Sequence, residues 1–323
     1  MTVPDPFAKI LDNPRFASRA RSPQQVDDGL RKLRRQILLD GIPDDIAAAR
    51  RPAVWKLFLG IKHLDGERYL SYVSRGPCAV REKIRNDTFR TLATDKGFKS
   101  RVREDMLVRL LDAFVWSSLS SHSHSTSTTT TTSSLTTASA DYPHGTPFTY
   151  VQGMNVLAAP FLFVLPSELE AFACFSRFIE RSCPLYVTPT LEGVHRGLRL
   201  LDRCLRVLDP ELYAFLRGKK LGAEIYAFPS VLTLCACTPP LPEVLHLWDF
   251  LLAFGVHLNV LCVIAQVLLI RAELLASPSP MRLLRTFPPL QAKKVIAIAV
   301  TLVRDVPERL YDELVRHPWQ VHP

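Results

Sequence analysis

The spacing of apolar residues predicts an all-α protein built from many short helices. Three observations carry this expectation. Leucine and isoleucine recur at helical spacing in several segments, evidence for strands is thin, and the 25 prolines fall mostly between the periodic segments as punctuation. A chain of 323 residues with 47% hydrophobic and 22% charged side chains can bury a sizeable core, which excludes a disordered or fibrous protein.

Taken in order, residues 27–39 place Leu30, Leu33, Ile37 and Leu38 on one stripe, with Arg31, Lys32, Arg34 and Arg35 around it. The spacing predicts an amphipathic basic helix whose charges form a solvated face. Ser167-Glu168-Leu169-Glu170 has the form of a capping box opening another helix. Leu198, Leu201, Leu205 and Leu208 repeat the helical period, and Pro307 is placed to begin a last helix, Pro307 to Arg316, from its first turn. Val231 to Thr238, rich in small and β-branched residues, is the best strand candidate. Phe250 to Ile270 runs 21 residues without a formal charge, long enough for a bilayer. Gly255, His257, Asn259 and Gln266 inside it read better as a turn between two buried helices, so no transmembrane segment is expected.

The clearest break in composition is Ser117 to Ala140, where 18 of 24 residues are Ser or Thr and none is charged. Such a tract buries too little apolar surface to order itself, and helical patterns flank it, so it reads as a disordered loop inserted at 117–140.

A formal charge of +9 favours acidic partners without choosing among them. The basic residues are spread without an aromatic-interleaved stripe, which argues against nucleic acid. Seven scattered cysteines and an N-terminus without a signal-length apolar stretch predict reduced thiols and a cytoplasmic or nuclear setting. His122 and His124 sit in the Ser/Thr tract, and Cys235-Ala-Cys237 lacks a second ligand pair, so neither is a convincing metal site. No Walker loop, nucleophile elbow, Gly-x-Gly-x-x-Gly or His-Glu-x-x-His is present, and the chain is not expected to bind a nucleotide, metal or other cofactor of its own.

Two segments place polar residues among apolar ones. In Ile84-Arg85-Asn86-Asp87-Thr88-Phe89-Arg90, a helical register puts Ile84, Asp87 and Arg90 on one stripe, where the carboxylate steadies the guanidinium. A surface ion pair accounts for the same spacing. In Tyr150-Val151-Gln152-Gly153-Met154-Asn155, a Gln-Gly pair opens an apolar run, and a satisfied core amide accounts for Gln152 equally well.

Together and in this order the segments resemble the TBC domain of Rab-type GTPase-activating proteins. Gly41-Ile42-Pro43 followed by Arg50-Arg51-Pro52-Ala53-Val54-Trp55 resembles that domain's opening; Ile84-x-x-Asp87-x-x-Arg90 and Tyr150-x-Gln152-Gly153 match its two signatures; Leu247-Trp248-Asp249 matches its late landmark. Segments 150–157, 183–186, 189–195, 227–241 and 277–290 are similar to the fungal checkpoint branch that restrains mitotic exit and septation, the catalytic half of a two-component activator.

The resemblance implies an N-terminal helical extension over 1–37, a TBC domain over 38–300 and a C-terminal helix and tail over 301–323. It implies a Ras- or Rab-like small GTPase as partner, with Arg90 and Gln152 acting in trans on its GTP. Asp87 would hold Arg90, Tyr150 and Gly153 would shape the Gln152 turn, and Ile84 belongs to the first signature. GTP and Mg²⁺ would arrive with the GTPase. It further implies a second regulatory subunit that brings the chain to the spindle pole body; the apolar helices near Val256 to Ile270 are the expected place for it to dock, away from Arg90 and Gln152, with no residue pattern behind that choice. A catalytically silent GTPase-binding scaffold of the same fold is the alternative. The chain departs from many relatives in carrying Tyr226 and Phe228 where they carry Trp, and in placing the Ser/Thr tract between the two signatures.

Overall fold

Two halves of the chain meet on a set of stacked aromatic rings, and that joint explains why residues far apart in sequence share one core. In the computed structural model, residues 5, 7–11, 23–125 and 147–321 are described, and among them there are helices, turns and no strand. The first half supplies Asp44–Phe58, Gly66–Val73, Arg81–Thr88, Glu104–Ser125, Met154–Val164 and Glu168–Ser182. The second supplies Glu192–Leu208, Pro210–Gly218, Phe228–Leu232, Leu241–Phe254, Asn259–Leu269, Ala292–Val303 and Glu308–Arg316, with shorter helical turns between them.

At the joint, Trp248 stacks on Trp55 with ring centroids 6.0 Å apart and on Phe178 at 5.4 Å, while Phe161 meets it edge-on at 5.5 Å. Beside the rings, Asp249 is 1% exposed and accepts hydrogen bonds from Trp55 Nε1 at 2.7 Å and Arg51 Nε at 3.0 Å. Burial pushes the Asp249 carboxyl above the usual carboxylate range, and the donated hydrogen bonds oppose that shift. The Arg-Arg-Pro-Ala-Val-Trp and Leu-Trp-Asp segments are thus the two sides of one buried ion pair.

The predicted helices form for the expected reasons. Pro23–Leu39 buries Leu33 and Ile37 and packs on Leu241–Phe254, with Arg34 Nε reaching Ala253 O at 2.7 Å. This helix runs across residue 37, and Ala292–Val303 runs across residue 300. Ser167 caps Glu168–Ser182 by accepting from Glu170 N at 3.2 Å, the near half of a capping box. Leu198, Leu201 and Leu205 are fully buried along Glu192–Leu208. Gly255, at φ +119°, breaks the long apolar stretch, and Val256–Leu258 leads into Asn259–Leu269. Among the described residues no helix is long and apolar enough to cross a membrane.

The best strand candidate, Val231 to Thr238, is no strand, in keeping with the all-α expectation: Phe228–Leu232 is helical, and the chain then turns with Leu234 and Cys235 at positive φ, because these side chains fill the core one turn at a time. Four expectations are corrected. Pro307 lies one residue before its helix, as the N-cap of Glu308–Arg316. Pro52 and Pro160 sit inside helices rather than between them. Val256 to Ile270 offers little surface for docking a partner, since Val256, Leu258 and every residue from Asn259 to Val267 are buried, and of its large apolar side chains Leu269 alone is exposed. Finally, the start of the Ser/Thr tract is helical through Ser125. Its hydroxyls bond back along the helix, Ser120 Oγ to Trp116 O at 3.0 Å and Ser121 Oγ to Ser117 O at 3.0 Å. Ser118 is buried and its Oγ accepts from Phe148 N at 2.6 Å. The rest of the tract, 126–140, lies outside the described residues.

Candidate active site

The first signature folds as the short helix Arg81–Thr88, with Glu82, Lys83, Arg85 and Asn86 in solvent and Ile84, Asp87 and Thr88 inward. Ile84 is fully buried and anchors the helix in the core. The helix ends at Phe89, and Arg90 follows in a turn, so the expected stripe is broken at its last member. The i,i+3 pair nevertheless forms: Arg90 Nη2 donates to Asp87 Oδ1, with the arginine side chain 57% exposed and the aspartate 10% exposed. The ion pair is a surface one only on the arginine side.

The second signature forms the turn that opens Met154–Val164. Met154 N donates to Val151 O at 3.2 Å, and Gly153 takes φ +103°, a conformation that L side chains rarely adopt. A Cβ at Gly153 would also lie 3.0 Å from Leu232 Cδ2, so that side chain would have to give by a few tenths of an ångström. Gln152, at the tip of the turn, is exposed, which corrects the core-amide reading.

The core amide is Asn155, three residues on and 4% exposed. Its Oδ1 accepts from Gly153 N at 3.2 Å, and its Nδ2 donates to Thr91 Oγ1 at 2.8 Å and Asp87 O at 3.3 Å. Tyr150 donates its hydroxyl to Asp87 Oδ2 at 2.8 Å, with Asn155 Oδ1 3.1 Å away. Burial, reinforced by the carboxylate, pushes the Tyr150 phenol well above its ordinary pKa, so it remains a donor. Asp87, Tyr150, Asn155 and Thr91 therefore form one network tying the two signatures together. Tyr150 and Asp87 were legible from the sequence pattern. Asn155 and Thr91 were missed, although a lone amide at the second position of an apolar helix is itself a signal.

Arg90 and Gln152 line the same cleft, of about 490 Å³, whose walls include Val156, Phe228, Leu232 and Val244. Phe228, where many relatives carry Trp by the resemblance, thus belongs to the cleft, while Tyr226 is buried behind it. A partly exposed guanidinium steadied by a carboxylate, with an exposed amide across an apolar cleft, is suited to a charged, oxygen-rich group presented by another molecule.

Residues 49–275 match the family described as the Rab-GTPase-TBC domain. The chain is 44% identical over 301 residues to Cell division control protein 16 of Schizosaccharomyces pombe, covering 93% of this chain and 91% of that one. It is 38% identical to Mitotic check point protein BUB2 of Saccharomyces cerevisiae, covering 91% of this chain and 94% of that one. Among solved structures, the Ypt/Rab-GAP domain of Gyp1p superposes with a TM-score of 0.68 at 16% identity, covering 91% of this chain and 95% of that one. The Chlamydomonas flagellar RabGAP TBC domain gives 0.65 at 17%, covering 92% and 91%. At such identities these two structures establish the fold alone.

Proposed function

The chain belongs to the Rab-GTPase-TBC family, and on that premise we propose that it is a GTPase-activating protein that stimulates GTP hydrolysis on a Ras- or Rab-like small GTPase. The observation that carries the reading is the placement of Arg90 and Gln152 on one cleft, with their two turns joined by the Asp87, Tyr150 and Asn155 network. Phosphoryl transfer to water builds negative charge on oxygen and needs an oriented nucleophile, and positioned donors supply most of what a protein contributes. Arg90 neutralises the developing charge with a planar fork that is always protonated, and Asp87 holds that fork until the GTPase arrives. Gln152 orients the attacking water from the opposite turn, which Gly153 permits. Acting in trans, the chain is an activator and not itself the hydrolase. The nucleotide and its Mg²⁺ come with the GTPase.

The similarity to Cell division control protein 16 and Mitotic check point protein BUB2 supports a role in restraining mitotic exit and septation. In that reading the chain is one half of a two-component activator, and a second subunit carries it from the cytoplasm to the spindle pole body. The burial of Val256, Leu258 and Asn259 to Val267 favours a dock elsewhere on the surface for that subunit.

Single-turnover hydrolysis across a panel of GTP-loaded small GTPases tests the proposal. Arg90→Ala and Arg90→Lys each lose on the order of 10³-fold or more of the acceleration, and Gln152→Ala is similarly crippling. An Arg90 variant that keeps more than about a tenth of the wild-type rate overturns the assignment.

A further inference from the structure

The turn after Arg81–Thr88 is held from beneath and bare above. Thr88 and Thr91 are buried, Thr91 N donates to Thr88 O at 3.0 Å, and Asn155 Nδ2 grips Thr91 Oγ1 at 2.8 Å. Leu92 completes the turn at φ +46°, a left-handed conformation that a residue with a Cβ adopts only at a cost. The two residues between the threonines face solvent. One is Arg90, which the proposed chemistry uses. The other is Phe89, 64% exposed and in helical backbone at φ −60°, ψ −27°. Phe89 does not line the cleft, which takes Asp87, Arg90, Thr91 and Leu92 from this turn.

We propose that Phe89 is an anchor for the small GTPase, a specificity-determining residue that packs on an apolar patch beside the partner's nucleotide site, on the side of Arg90 away from the cleft. The inference rests on the reading that Arg90 enters that site. Adjacent Cα atoms stand about 3.8 Å apart and both side chains are exposed on the same turn, which sets the Phe89 ring beside the surface that admits the Arg90 guanidinium. A solitary exposed phenylalanine is ordinary on a protein surface. One beside the residue that must penetrate the partner is placed to be covered when Arg90 engages. The strained, hydrogen-bonded turn presents that ring from a fixed backbone, and a ring with two torsions loses little entropy on binding. Such preorganised aromatic side chains carry a disproportionate share of interface energy. Arg90 would thus supply the rate and Phe89 the choice of surface, from neighbouring positions on one rigid turn.

The test is single-turnover hydrolysis at rising concentrations of the full chain, with parallel binding to the GTPase loaded with a non-hydrolysable GTP analogue. Phe89→Ala is expected to raise the half-maximal concentration about ten- to a hundredfold, with the saturating rate within about twofold of wild type. Phe89→Leu should recover much of the difference, and the urea midpoint of both variants should match wild type. Arg90→Ala shows the opposite split. An unchanged half-maximal concentration for Phe89→Ala overturns the anchor while leaving the activator reading intact. A fall in saturating rate alone also overturns it, by making Phe89 a prop for Arg90. If wild type binds the loaded GTPase without accelerating it, the activator reading fails and the anchor is judged on affinity. If wild type does neither, both fall.

Discussion

Replacing Asn155 should cost both stability and catalysis, and the structure sets the size of the first effect. In Asn155→Ala, Asp87 O still accepts from Thr91 Oγ1 at 3.1 Å, so that carbonyl keeps a partner. Gly153 N loses the acceptor it has at 3.2 Å and is left buried, a penalty of about 1 to 3 kcal/mol. The two bonds from Nδ2 add about 1 kcal/mol each. The expected loss is therefore roughly 3 to 5 kcal/mol, a large fraction of a typical folding free energy. Catalysis should fall further than the folded fraction does, because the Gln152 turn and the Arg90 turn lose their common tether. Urea unfolding by linear extrapolation reads the first quantity, and single-turnover hydrolysis under conditions where the variant is folded reads the second. Asn155→Asp sharpens the experiment. It keeps the shape, removes both Nδ2 donors and sets a second carboxylate near Asp87, which raises its own pKa in the folded state. That variant should lose stability as pH rises through the raised value. A destabilisation of Asn155→Ala below about 1 kcal/mol, with full activity, would refute the claim that this amide joins the two signatures.

Three further outcomes follow from the geometry. Asp249→Ala strands the Arg51 guanidinium in the core and should destabilise by about 3 to 5 kcal/mol, whereas Asp249→Leu combined with Arg51→Met should recover most of the urea midpoint. Burial lowers His317 to about 3 and His257 to about 4, and the neutral His317 ring is satisfied by Leu314 O at 2.6 Å and the Tyr186 hydroxyl at 2.9 Å. Because the unfolded chain takes up these protons near the ordinary value of 6.5, this stability is complete above that pH and drains away as pH falls from there through about 4 and 3. Urea midpoints measured between pH 7 and 4 check the slope, which His317→Asn should flatten. Deleting residues 126–139 should leave stability and catalysis nearly intact, at about 0.6 kcal/mol per twofold change in loop length. A deletion that begins at Ser118 should instead be damaging, since Ser118 is buried and bonded to Phe148, and thermal melts of the two variants separate the cases.

Much of the architecture could be read from residue spacing, because the periodicity of Leu198, Leu201 and Leu205 reports a buried stripe whatever it packs against. The two signatures were likewise recognisable as patterns. What spacing could not supply was which of two neighbouring amides turns inward. Gln152 and Asn155 are chemically alike and three residues apart, and only the left-handed Gly153 between them sends one out and the other under the turn. The helix through Ser125 was hidden for a related reason: serine composition argues against helix, yet hydroxyls that bond back to the preceding turn are compatible with it. The docking surface assigned to Val256 to Ile270 failed because a continuous apolar run looks the same whether it awaits a partner or lies in the middle of its own fold.

The bond between Ser118 Oγ and Phe148 N has a meaning for the history of the chain as well as for its stability. It clasps the helix Glu104–Ser125, about two turns before its end, to the segment that leads into the Tyr150 turn. Selection on Arg90 and Gln152 consequently has little purchase on how many residues lie beyond the clasp. Changes in the length of a repetitive tract in that position are expected to be tolerated. The same neutrality makes it a natural place to insert a reporter without disturbing either turn.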